Sequence, residues 1–159
     1  MKILLLSAYE AMSHQKWREG LVASFPDAEW SIATLPARHF SWRIRGNPIS
    51  WFQELQGKLS KGFDLVVATS MVDLATIRGI NPKLSAVPAL LYFHENQFAY
   101  PLSDAKEQRL HVEAQMVQIY AGLSANILAF NSEYNLTEYL SGVSALLKKF
   151  PDRVPSGIL

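Results

Sequence analysis

The sequence predicts an α/β domain: a doubly wound, Rossmann-like parallel sheet of about five or more strands with helices on both faces. Five short, mainly apolar runs punctuate the chain, at Lys2–Ser7, Trp30–Leu35, Phe63–Thr69, Ala89–Phe93 and Asn126–Phe130. Runs of this length suit strands buried on both faces. Segments of helical periodicity separate them, and such alternation leads to right-handed crossovers and a parallel sheet. At 159 residues, 49% of them hydrophobic, the chain can form one domain with a sizeable core.

The elements follow in order. The first strand starts like a signal peptide, but Ser7 and Glu10 cut its apolar run short of an h-region. A helix opens at Ser13 or His14, carries Trp17, Leu21, Val22 and Phe25, and stops at Pro26. Pro36 ends the second strand, and Pro36–Pro48 reads as a loop. The next helix places Trp51, Phe52, Leu55 and Leu59 on one face before Gly62 breaks it. Asp73–Arg78 is a short helix ended by Gly79. From Asp104 to about Leu123 runs a long helix, with Asp104 and Glu107 spaced as a capping box. Ser132 caps the last helix, whose stripe is Leu136, Leu140, Val143 and Leu147, with Lys148 and Lys149 in its final turn. The domain spans 1–150, and the Pro/Gly-rich 151–159 reads as a linker.

Composition excludes several classes. The chain has no Cys, hence no disulfide scaffold and no thiolate metal site. No apolar run nears the ~20 residues that span a bilayer, so a cytoplasmic protein is expected. The net charge of +1 does not by itself announce a nucleic-acid binder. GxGxxG, GxxxxGK[ST] and GxSxG are all missing. His94-Glu95 lacks the second His of a zinc helix, and His14, His39, His94 and His111 show no ligand spacing, so no metal is expected.

In such sheets ligands bind beyond the carboxyl ends of the strands. The fourth loop carries His94, Glu95, Asn96 and Gln97 there. His94 can donate to a substrate oxygen and Glu95 can orient it or accept from a hydroxyl, which suits a sugar. A turn capped by Glu95 and Asn96 is the plainer reading, and position together with chemistry favours the site. The second loop holds Arg38, His39, Trp42, Arg43 and Arg45, and no acid occurs between Glu29 and Glu54. Cations interleaved with rings grip looped RNA or phosphate. A solvated loop with core tryptophans, as expected for Trp30 and Trp51, stands equally beside that reading. The first loop ends in Ser13 and His14 at a helix start, where Ser13 reads first as a cap. In the fifth loop, Asn131 and Ser132 are substrate-binding candidates, although Ser132 reads first as a helix cap.

Several blocks together resemble a known family. They are Leu6-Ser7-Ala8-Tyr9 with Ser13-His14, the run Leu35–Arg45, the run Leu91–Gln97 with Tyr100-Pro101, the run Phe130–Asn135, and Pro151-Asp152. The chain is similar throughout to the amino-terminal domain of the tRNA-queuosine α-mannosyltransferases, relatives of family 4 of the retaining glycosyltransferases. The resemblance implies the amino-terminal half of a GT-B fold, in which this domain binds the acceptor and a carboxy-terminal domain binds the donor. It implies transfer of mannose from GDP-mannose to queuosine in the tRNA anticodon, without a metal. His94 matches the position at the reacting centre, Glu95, Asn96 and Gln97 the polar block beside it, Ser13 and His14 the loop near the donor phosphates, and Arg38, Trp42 and Arg43 the tRNA block. Where relatives often have Gly-Gly, this chain has Ala11-Met12, whose side chains limit close backbone approach to a phosphate. The donor domain is absent from these 159 residues, so no transfer is expected from them alone. Alternatives are another family 4 glycosyltransferase with a different acceptor, or a stand-alone module binding RNA or a phosphorylated ligand.

Overall fold

The computed structural model describes residues 1–100, 105–152, 154–155 and 157–158, with side chains described for all of these except 105–110. The strands are β1 (Lys2–Glu10), β2 (Glu29–Pro36), β3 (Leu65–Thr69), β4 (Ala89–Phe93) and β5 (Ile127–Phe130). They form one sheet in the order β2-β1-β3-β4-β5, every neighbouring pair parallel. Leu5 lies between Ile32 and Val67, and Leu91 between Ala68 and Leu128. The helices are α1 (Met12–Ser24), α2 (Phe40–Ser50), α3 (Phe52–Lys58), α4 (Leu74–Ile80), α5 (Pro82–Ser85), α6 (Ala105–Ser124) and α7 (Glu133–Leu147). Among the described residues no helix is long and apolar enough to cross a membrane.

The chain steps from β1 to β2 in one direction and from β2 onward in the other. Right-handed crossovers therefore put α1 on one face and the later helices on the opposite face. Trp17 and Leu21 of α1 pack on Ile3, Leu5 and Val67. On the other face Leu4, Leu6, Val66, Leu91 and Phe93 join Trp51, Leu55, Leu74, Ile77, Val117 and Tyr139 in the main core. The reversal lies between β1 and β3, the switch point beside which such sheets bind ligands.

Several elements differ from the sequence reading. The expected loop Pro36–Pro48 is helical from Phe40, through Pro48 itself. Pro48 cannot donate to Ile44, and the Asn47 side chain supplies that carbonyl with a donor at 3.3 Å instead. Trp51, with φ −97° and ψ 0°, separates α2 from α3, and Leu59–Lys61 tightens to a 3-10 turn. Gly62 then takes φ +66° and ends the segment. Pro82–Ser85 is a one-turn helix that periodicity does not reveal, with Pro82 in its first turn. The α7 stripe is Asn135, Tyr139, Val143 and Leu147, so Leu136 and Leu140 face outward. The buried row is displaced because its polar members are satisfied: Tyr139 donates to the Gln118 carbonyl at 3.1 Å and Asn135 to that of Phe93 at 3.2 Å. Lys148 is the residue that closes α7, so Lys148 and Lys149 lie past its last turn. Trp51 is fully buried and Trp30 only partly. The capping box of Asp104 and Glu107 lies outside the described residues and side chains. In the expected linker, Val154 and Ile158 pack against the core.

Gly142 of α7 lies directly against Phe98 of the loop after β4. A Cβ built on Gly142 falls 2.4 Å from the Phe98 Cβ and 2.6 Å from two of its ring atoms. Because the nearest atom is Phe98's own root, the backbone has to yield. Gly142→Ala should therefore cost about 1–3 kcal/mol despite the better helix propensity of Ala. Gly20→Ala, in α1 with nothing within 4 Å of the new methyl, should stabilise by up to about 1 kcal/mol. Urea midpoints measure both, and a midpoint for Gly142→Ala at or above that of the parent would contradict the contact.

Candidate functional site

His94 stands one residue beyond β4 and shares with Tyr92 the face that α1 covers. His14, in the first turn of α1, brings its ring to 4.0 Å from that of His94, edge to face. Trp17 and Tyr92 stack on each other at 4.4 Å, and each meets His94 at 4.8 Å. The imidazole thus sits against three aromatic rings. Glu95 is partly exposed and holds the His14 Nε2 at 3.4 Å. Burial holds the His94 imidazole down at about 4 from its ordinary 6.5, His14 adds to this, and Glu95 opposes it. His94 is therefore neutral at pH 7, with one ring nitrogen able to donate and the other to accept.

The loop after β4 is pinned to the start of α7. The Asn131 side chain donates to the His94 carbonyl at 2.6 Å. Asn96 donates to the Asn135 side chain at 2.6 Å and accepts from the backbone of Phe98 and Ala99 at 2.9 and 3.0 Å. Ser132 accepts from the Asn135 backbone at 3.2 Å, so it caps α7. These residues enclose an open pocket of about 220 Å³ whose wall includes His94, Glu95, Asn96, Asn131, Ser132 and Tyr134.

Among the described residues, eight buried side-chain polar atoms have no hydrogen-bond partner. Six belong to residues at the carboxyl edge of the sheet: Ser7 Oγ, Glu10 Oε2, His14 Nδ1, Arg43 Nε, His94 Nε2 and Gln97 Nε2. Orphaned polar atoms are uncommon in folded interiors and call for a reason. Their concentration on the ligand-binding edge of the fold fits groups that a ligand completes.

The chain matches the family model "tRNA-queuosine alpha-mannosyltransferase N-terminal" over residues 2–159. The chain belongs to this family. It is 29% identical over 150 residues to a Drosophila melanogaster protein named tRNA-queuosine alpha-mannosyltransferase, covering 94% of this chain and 39% of that protein. The chain thus spans about two fifths of the relative's length. No solved structure matches it.

Within this tRNA-queuosine α-mannosyltransferase domain, the candidate residues fall into two groups. His14, His94, Glu95, Asn96, Asn131 and Ser132 meet around the pocket or its histidine pair. Gln97 is buried and does not line the pocket, and its backbone N–H donates to the Gln118 side chain at 2.8 Å. Ser13 is exposed inside α1, and Ala11 occupies the N-cap position without a side-chain bond, so Ser13 is not the cap. The second group lies on or beside α2. Arg38, His39 and Trp42 are exposed, and His39 takes a left-handed φ of 56° where the chain enters the helix. Arg45 pairs with the buried Asp73 at 2.9 Å. Arg43 is only 9% exposed, so helix formation has turned it inward from the surface role expected of a loop residue. Sequence reading missed Asn135, Trp17 and Tyr92 as site residues. Asn135 was legible only as a polar residue three places after a cap, and the rings only as core. Among the described residues no cluster of three His, Asp or Glu side chains is placed to hold a metal ion.

The His94 environment predicts a pH dependence with a definite sign. The unfolded chain takes up a proton near pH 6.5 that the folded chain refuses until about 4. Stability should therefore fall as the pH drops through that window. His111, also lowered by burial, acts in the same direction, so His94→Gln should flatten part of the slope and not all of it. Urea midpoints across this range check the slope, and NMR titration of the imidazoles should place His94 near about 4. A His94 midpoint at its ordinary value would refute the half-buried, neutral assignment.

Proposed function

We propose that this chain is the acceptor-side domain of a cytoplasmic enzyme that moves mannose from GDP-mannose to queuosine in a tRNA anticodon, with retention at the anomeric carbon. Family membership and the name of the Drosophila relative support the reaction class. The observation that carries the site is a neutral His94 beside a pocket at the carboxyl edge. A neutral imidazole can hydrogen-bond a sugar hydroxyl or the acceptor oxygen without placing a positive charge against a developing oxocarbenium ion. Glu95, on the rim, accepts from sugar hydroxyls, while Asn96 and Asn131 keep the loop in place. The domain presents the acceptor hydroxyl. The donor diphosphate belongs to a second domain, where cationic side chains and helix N-termini meet its charge without a metal.

Three measurements test this reading. A full-length protein carrying this domain, given queuosine-containing tRNA and GDP-mannose, should add one hexose to the anticodon nucleoside, read by mass after digestion. His94→Ala should lower kcat by about a hundredfold or more. The 159 residues alone should not turn over GDP-mannose. An unchanged nucleoside mass, or full activity in His94→Ala, would defeat the proposal.

A further inference from the structure

We propose that Trp42 is a stacking platform for an unpaired nucleobase, and that Gly46 is there to seat it. The idea rests on the tRNA-acceptor reading above and gives it a contact. A Cβ built on Gly46 would fall 2.5 Å from Cε2 of Trp42, 2.7 Å from Cδ2 and 2.8 Å from Cζ2. Cε2 is a ring-fusion atom, surrounded in the indole plane by three bonds. An atom can come so close to it only through the face of the ring. The indole therefore lies across the backbone of Gly46, one turn further along α2, with one face against the helix. Trp42 nevertheless remains 54% exposed, so much of its other face is open to solvent.

This arrangement conflicts with what α2 needs for itself. Gly in a helix interior is unfavourable relative to Ala, and Pro48 follows two residues later. Such local conflicts mark functional positions. Charge alone does not account for the helix. Of its arginines, Arg43 is buried and Arg45 is engaged by Asp73, which leaves the exposed Arg38 just ahead of the helix as the nearest unengaged cation among the described residues. A flat aromatic face with an exposed arginine four residues earlier in the chain matches a splayed base and its phosphate.

The platform is distinct from the His94 pocket. The α2 helix follows β2, the pocket follows β4, and β1 and β3 lie between them. Trp42 is not among the residues that line that pocket, so the base on Trp42 is a neighbour of the reacting nucleoside and not the nucleoside itself. Asn47 ties α2 to the loop after β3 through Met71 and Asp73, which fixes the platform on the edge that carries the pocket.

The test uses the 159-residue chain and a synthetic tRNA anticodon stem-loop, with binding read by tryptophan emission and by RNA-label anisotropy. Trp42→Ala should weaken binding by at least about fivefold, the lower end of what one stacked base contributes. Trp42→Phe should recover part of the loss. Gly46→Ala, which lifts the indole off its seat, should weaken binding while circular dichroism stays unchanged. The Trp42→Ala loss should persist at high salt, since stacking is not screened. A blunt RNA duplex without unpaired bases should show no dependence on Trp42. If the parent chain binds the stem-loop and Trp42→Ala binds within twofold of it, the platform is overturned and the acceptor reading stands. If the parent chain fails to bind the stem-loop at all, both are overturned.

Discussion

Four buried amide side chains hold the carboxyl edge of this sheet together, and the site depends on them. Asn47, Asn96, Gln118 and Asn135 are each 5% exposed or less. Asn47 joins α2 to the loop after β3, and Gln118 joins α6 to the loops after β3 and β4. Asn96 and Asn135 join the loop after β4 to α7. An amide can donate and accept at once, so one side chain satisfies backbone groups of two loops that the sheet leaves unpaired. Apolar residues of similar size would leave those groups buried and unpartnered, at about 1–3 kcal/mol each. The loops therefore have fixed shapes without being regular structure.

This scaffolding explains why the unpartnered atoms at the same edge stand out. The fold satisfies the amide network nearly completely and leaves polar atoms of His14, His94, Arg43 and Gln97 without partners beside it. The contrast is local. A sequence that supplies partners so thoroughly to Asn47 and Asn96 has left these others open in the same region. Retention of an inward-facing Arg43 with no carboxylate within salt-bridge reach among the described residues belongs to the same pattern.

The strands were legible because the apolar runs are continuous, and burial on both faces needs nothing else. The run Ala89–Phe93 matches β4 end to end, and β1 differs only at its carboxyl end. The polar block of the fourth loop was legible as a candidate site because a polar run directly after such a strand has few other places to be. What stayed hidden depended on tertiary partners. Pro48 and Gly46 argue against a helix in any local reading, and α2 exists because Asn47 repairs the one and Trp42 occupies the space over the other. Asn135 and Tyr139 displaced the leucine row of α7 because distant carbonyls accept from them. The aromatic setting of His94 required knowing that α1 lies across the sheet from β1 towards β4, which no local pattern states.

The two faces of the sheet divide the work unequally, and this bears on the histidine pair. Helices α2 to α7 build the main core, whereas α1 alone covers the other face. Beyond α1 that face opens into an apolar groove of about 350 Å³ bordered by Trp17, Leu65, Val67, Leu90 and Tyr92. The amino end of α1 has no side-chain cap and no acidic residue in its first turn. Its position beside β4 rests on the Trp17–Tyr92 stack and on the Glu95 contact with His14. Those same side chains surround His94. The packing that keeps His94 half-buried and neutral is thus the packing that docks α1. A change that loosens the helix must expose the imidazole and raise its proton affinity. The catalytic candidate and α1 are coupled through the rings of His14, Trp17 and Tyr92.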